Sequence, residues 1–160
     1  MSDFILPTTA GSVVSFEDWG DVEKTEKFRY VVSLIPGHFD SATGEFGDVV
    51  WADAYGEDGG MYDVDADRIL EGNPTLVFEA PEVNPVNAES LDMADERLYG
   101  AIVVLEDSFG EDAVAMFTPG IITDGEISDA EWTNSYGGYF TQAQVAENAK
   151  TLLVRGSADL

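Results

Sequence analysis

Two stretches of the chain repeat one another in register. Gly59-Gly60-Met61-Tyr62, Ile69-Leu70-Glu71 and Thr75-Leu76-Val77-Phe78 are answered by Gly137-Gly138-Tyr139-Phe140, Val145-Ala146-Glu147 and Thr151-Leu152-Leu153-Val154. Glu precedes Thr by four residues in both copies, and each Gly-Gly follows a tryptophan, Trp51 or Trp132. The first copy carries two more residues between Gly-Gly and Glu, which fits a longer loop. Self-similarity of this kind marks a unit used twice. The expected fold is therefore α+β, mainly β: two similar small units packed as a tandem duplication.

The local patterns agree. Residues 12–16, 28–35 and 48–55 are rich in Val, Phe, Tyr and Trp and are bounded by Gly, Pro and Asp, the marks of strands. Residues 65–71 read as a short helix with Asp in its first turn, where the helix dipole favours negative charge. Gly72-Asn73-Pro74 stops it, and 75–79 is a further strand. In the second half, 98–106 and 113–117 read as a hairpin around Ser108-Phe109-Gly110, and 131–136 as a third strand. Thr141 then caps a helix over 142–149, and a strand over 151–155 follows. Each half thus reads strand-strand-strand-helix-strand. Pro81 and Pro85 make the intervening segment a connector, with a short helix capped by Asn87. The expected division is 1–80, a connector over 81–97, and 98–160, all within reach of one compact domain.

The charge decides what surface such a fold presents. The 160 residues hold 32 Asp and Glu against 7 Lys and Arg, a formal net charge of -25. Acidic disordered chains lack apolar residues, whereas this one is 44% hydrophobic. Its acids are dispersed, with no long run of like charge and hence no acidic tail. They belong to the surface of a folded protein. Lys is limited to Lys24, Lys27 and Lys150, and Cys is absent. This composition resembles that of proteins from salt-in haloarchaea and their viruses, and identifies an environment rather than a family. A rival reading is a DNA mimic, whose carboxylates imitate backbone phosphates.

The sequence points away from catalysis. No thiolate is available, and His38 is the sole histidine, in Pro36-Gly37-His38, where a polar turn residue is expected. No nucleophile elbow, phosphate-binding loop or dinucleotide fingerprint occurs. Asp63-Val64-Asp65-Ala66-Asp67 opens like a calcium loop, but Arg68 and Pro74 stand where an EF-hand needs Gly and Glu. Helix capping is the reading adopted there. No catalytic residue, metal ligand or cofactor is therefore assigned.

The aromatic residues Trp19, Trp51, Trp132, Tyr55 and Tyr136 are expected to pack the sheets. Met61, Tyr62, Tyr139 and Phe140 follow the Gly-Gly turns, where loops at strand ends carry binding residues. Phe4 and Leu6 belong to an apolar start expected to dock rather than fray. These six are the candidate interface residues. Met1 to Pro7 has no basic region or long apolar stretch, so no signal peptide is expected. A surface this negative repels nucleic acid and anionic lipid alike. The expected partners are protein subunits of an assembly, other copies of the chain among them. The expected role is a non-enzymatic structural protein, in the virion or cytoplasm of a high-salt host, such as a head-decoration, head-tail or tail component of a halophilic archaeal virus. The alternative is an acidic inhibitor of a defence or restriction nuclease.

Overall fold

The computed structural model describes residues 4–19, 23–25, 27–53, 62–87, 99–107, 109–119, 121–123, 126–128, 131–136 and 138–156. Val13–Trp19 (β1) and Lys27–Ile35 (β2) pair antiparallel through seven residues each, Val13 opposite Ser33 and Trp19 opposite Lys27. His38–Asp40 (β3) and Glu45–Gly47 (β4) form a small hairpin. Val50–Asp53 (β5), Tyr62–Asp63 (β6), helix Ala66–Glu71 (α1) and Thr75–Phe78 (β7) complete the first unit. After Val86–Asn87 (β8) the second unit runs Ile102–Glu106 (β9), Asp112–Thr118 (β10), Ile121–Thr123 (β11), Glu126–Ser128 (β12), Glu131–Thr133 (β13) and Tyr139–Phe140 (β14). Helix Gln142–Asn148 (α2) and Ala149–Val154 (β15) close it. The protein is α+β and mainly β.

The first sheet has the order β6-β5-β2-β1-β7; the second has β14-β13-β10-β9-β15, with β8 added outside β15. Element by element, the two orders are the same. Registers agree as well. Trp51 lies opposite Leu34, and Trp132 opposite Phe117. Val13 faces Phe78 and Ile102 faces Val154, and both ladders then shift register at the next residue, to Leu76 and Leu152.

Strand alternation explains how the layers form. Successive side chains point to opposite faces. Val14, Phe16 and Val32 turn to one side and meet Ile69 of α1. Val103, Leu105 and Ala115 do the same beneath Val145 of α2. The opposite faces pack on each other: Ile35 and Ala52 of the first sheet share a cluster with Ile102, Val114, Met116 and Val154 of the second. The order of layers is helix, sheet, sheet, helix. One core is thus drawn from both halves.

Each helix is too short to persist alone. Ile69 and Val145 are fully buried, and this anchoring is what holds each helix. Thr141 forms a complete capping box with Gln144, and Trp132 Nε1 donates to Gln142 Oε1 at 2.7 Å. Asp65 occupies the N-cap position of α1 but its side chain makes no cap bond, a correction to the capping reading there. Arg68 instead ties α1 to Asp18 of β1.

Between the units, backbones meet at Gly11 and Gly100. Their φ values are +99° and +85°, a region that L side chains rarely adopt. Their N–H groups donate to Leu34 O and Phe117 O, matching positions on β2 and β10. A Cβ on Gly11 would lie 2.7 Å from Gly100 O, and one on Gly100 would lie 2.6 Å from Gly11 O. Gly11 also approaches Val154, while Gly100 approaches Phe78, the matching residue of the other sheet. Such reciprocal contacts are those of a two-fold interface.

Two expectations need correction. Several strands are trimmed: β9 begins at Ile102 and β13 ends at Thr133. Within the expected connector, Val86 and Asn87 form β8 and pair with Leu152 and Thr151, adding an edge strand to the second sheet. The helix expected after it lies outside the described residues. Among the described residues no helix is long and apolar enough to cross a membrane.

Candidate functional site

A cleft of about 760 Å³ opens where the β3–β4 hairpin of the first unit meets the second sheet. Phe39, Val83, Val104, Phe140 and Leu153 give it an apolar lining, and His38 and Tyr136 stand among its polar residues. Its placement follows from local sequence. Pro36-Gly37 ends β2 and starts the hairpin, Phe39 and Phe46 pack together at 5.3 Å on the joint core, and His38 is left facing out. Asp48 follows β4 with φ +53°, a left-handed conformation that Asp tolerates better than most residues.

From the second unit, the turn after β13 brings in Ser135 and Tyr136. Ser135 N donates to Pro36 O at 3.0 Å, and its Oγ donates to Asp48 O at 2.6 Å. Asn134 is buried and fixes the turn. Its Oδ1 accepts from Tyr136 N and Gly138 N, and its Nδ2 donates to Val114 O. Tyr136 then reaches both partners in the first unit. Its hydroxyl lies 2.5 Å from Asp48 Oδ2 and 2.8 Å from His38 Nδ1. A phenol has one proton, and the shorter bond to a carboxylate takes it. The phenol oxygen therefore accepts from His38 Nδ1–H. The ring centroids lie 6.4 Å apart with 9° between planes, so the rings lie side by side rather than face to face. His38 lies so close over Gly47 that a Cβ there would meet the imidazole at 2.1 Å.

The hydrogen bond to Asp48 raises the Tyr136 pKa, with desolvation and the Asp48 charge adding to it. Near neutral pH the phenol is thus held as a donor rather than as a base or nucleophile. On the far wall Lys150 Nζ pairs with Asp112 Oδ1 at 2.7 Å, a bond that also raises the lysine pKa. Among the described residues no group of three or more His, Asp and Glu is placed to hold a metal ion.

The six candidate interface residues do not converge. Phe140 lines the cleft and packs partly against the cluster beneath α2. Tyr139 beside it is 59% exposed. Phe4 and Leu6 are half-buried against the α1-side cluster. Tyr62 lies in β6 opposite Asp53, and Met61 is outside the described residues. The ladders also correct the repeat register here. Asp63 opposite Ala52 takes the place of Tyr139 opposite Thr133, so Met61 and Tyr62 are not the counterparts of Tyr139 and Phe140.

The packing role expected of the aromatics holds for Trp132, which is buried, and for Trp51, which is half-buried. It fails for Tyr136, which is 61% exposed because its hydroxyl is drawn to Asp48. Trp19 is 39% exposed, and Tyr55 lies outside the described residues. His38 is no isolated turn residue but the first residue of β3 and part of the joint between units. Sequence reasoning missed Asp48 and the role of Tyr136. A second recurrence, Gly44-Glu45-Phe46-Gly47-Asp48-Val49-Val50-Trp51 against Gly125-Glu126-Ile127-Ser128-Asp129-Ala130-Glu131-Trp132, includes Asp48 but carries no sign of its contact with Tyr136. Pro36-Gly37 against Pro119-Gly120 extends it. Comparison with family models, curated proteins and solved structures finds no match to the chain.

Proposed function

We propose that this chain is a non-enzymatic assembly protein with a salt-adapted surface, built from a duplicated β-rich unit. The observation that carries the reading is a pair of exposed tyrosines, Tyr136 and Tyr139, in and beside an apolar cleft on an otherwise carboxylate-rich surface. Aromatic side chains with one apolar and one polar end are the commonest anchors of protein interfaces. The duplication is supported by equal strand orders, equal registers and the paired glycines at the joint.

The distribution of charge supports salt adaptation over mimicry of DNA. Among the described residues no carboxylate is buried. Exposed acids lie on α1 (Asp67, Glu71), on α2 (Glu147), on the β3–β4 hairpin (Asp40, Glu45) and at the β9–β10 tip (Glu111). The two helices form opposite outer layers, so the acids do not gather into one row. A mimic needs such a row to imitate phosphates at a fixed spacing. A virion component of a halophilic archaeal virus, in head decoration, head-tail joining or the tail, is the setting that fits this surface.

The test is mass spectrometry of the source particle or cell fraction, purified in molar KCl. The expected result is co-purification with other structural proteins in fixed ratio. Recovery only as a monomer with no partner would overturn the reading, and recovery with a nuclease would favour the inhibitor.

A further inference from the structure

We propose that the cleft takes an arginine-bearing, apolar segment of a partner protein other than this chain. The proposal rests on the assembly reading and adds the chemistry of the partner. Three features of the cleft specify the occupant.

The first is shape and polarity. The lining formed by Phe39, Val83, Val104, Phe140 and Leu153 suits aliphatic or aromatic side chains, and about 760 Å³ accommodates two or three of them. The second is a flat aromatic face. His38 and Tyr136 lie side by side with their rings nearly parallel and are held by Asp48, Ser135 and the backbone of Gly47, so the face is formed before anything binds. A guanidinium is planar and stacks on such faces more readily than an ammonium does. The third is charge. Asp48, Asp107 and Asp112 lie at or beside the cleft, against one lysine already paired with Asp112. Asp48 spends one carboxylate oxygen on Tyr136. Its Oδ1 holds no hydrogen bond among the described residues, which leaves an acceptor next to the stacking face. Together they read as stacking plus a charge-assisted bond for one arginine, with apolar neighbours entering the cleft. A second copy of this chain is a poor occupant: it brings 32 acids and 7 basic residues. The partner is a basic protein or one with a basic tail.

The experiment uses the full chain immobilised in molar KCl, which screens diffuse attraction to its net charge but leaves short-range stacking and apolar contact in place. The probe is a library of short synthetic peptides, each with one central arginine among varied apolar residues. A matched library carries citrulline, which keeps the shape and removes the charge. Retention of the arginine library above the citrulline library by about tenfold or more is expected. Asp48→Asn should cut that retention about fivefold, since Asn keeps the left-handed backbone but not the charge. Asp112→Asn should cut it as well by releasing Lys150 as a competing cation, and serves if Asp48→Asn lowers stability. Asp67→Asn on the outer face of α1 should leave retention unchanged. Equal retention of both libraries, no retention by the wild type, or equal losses in all three variants would overturn the proposal. Co-purification with partner subunits together with an unresponsive cleft would sink this inference while leaving the assembly reading standing.

Discussion

Replacing either glycine at the joint with alanine probes the packing of the two units most sharply. The φ values of +99° and +85° cost an L-residue about 1–2 kcal/mol. The added Cβ would meet the facing carbonyl oxygen at 2.7 Å for Gly11 and 2.6 Å for Gly100. Carbon and oxygen approach to about 3.3 Å, so the backbones must part by roughly 0.6 Å. Both neighbours are main chain in the middle of the fold, and such overpacking adds about 1–3 kcal/mol. The reduced freedom of alanine in the unfolded chain returns about 0.4–1 kcal/mol. A loss of about 3 kcal/mol is expected for each variant, a fall in Tm of roughly 6–12 °C for a chain of this size. Gly44→Ala is the control. Its φ is +74°, but nothing lies within 4 Å of its Cβ, so it should lose only the backbone part, about 1 kcal/mol. Urea melts in molar KCl give the values. Because one displacement relieves both contacts, the double variant should be less destabilised than the sum by about 1 kcal/mol or more. Single losses no larger than that of Gly44→Ala, or strict additivity, would refute the account of the joint.

Other outcomes follow from the same contacts. Ser33 Oγ is buried between the sheets with no partner among the described residues, where the second unit has Met116, so Ser33→Ala should raise stability by about 1 kcal/mol; a fall in Tm would contradict this. Thr141→Ala removes the capping box and should cost about 1 kcal/mol in a urea melt, whereas Asp65→Ala, with no cap bond to lose, should cost much less. The Tyr136 pKa is raised in the folded state, so its bond to Asp48 stabilises the fold fully below the ordinary tyrosine value of 10.0 and loses that contribution as pH rises through the folded value. Phenolate absorbance, taken as wild type minus Tyr136→Phe, should titrate above 10.0 and fall back toward it in Asp48→Asn; titration at or below 10.0 in the wild type would count against the geometry.

What could be read from sequence was local. Helices α1 and α2, the cap at Thr141 and the Glu71–Thr75 and Glu147–Thr151 spacing were legible because each depends on neighbours a few residues apart. The ladders bear out that spacing, with Thr75 and Thr151 opposite Ser15 and Val104. The Gly-Gly part of the register misled, because identical residues were matched across a two-residue insertion whose position only the β5–β6 and β13–β14 pairings fix. The candidate site was not legible. Tyr136 meets His38 across 98 residues of chain and Asp48 across 88, and each residue on its own resembles an ordinary turn position. Gly11 and Gly100 likewise mean little until the sheets are placed back to back. Long-range pairing of this kind leaves no periodic trace in either partner.

We propose that the charge of -25 is an adaptation to salt, carried on the outside of this scaffold. Self-repulsion should destabilise the fold in dilute buffer, and screening to a Debye length of about 3 Å in molar salt should relieve it. The deciding measurement is Tm against KCl concentration for the isolated protein, beside a near-neutral protein of similar size. A steep rise from dilute to molar KCl, well beyond that of the control, is expected. A flat curve would contradict it, and would point to a cationic partner as the source of the missing positive charge.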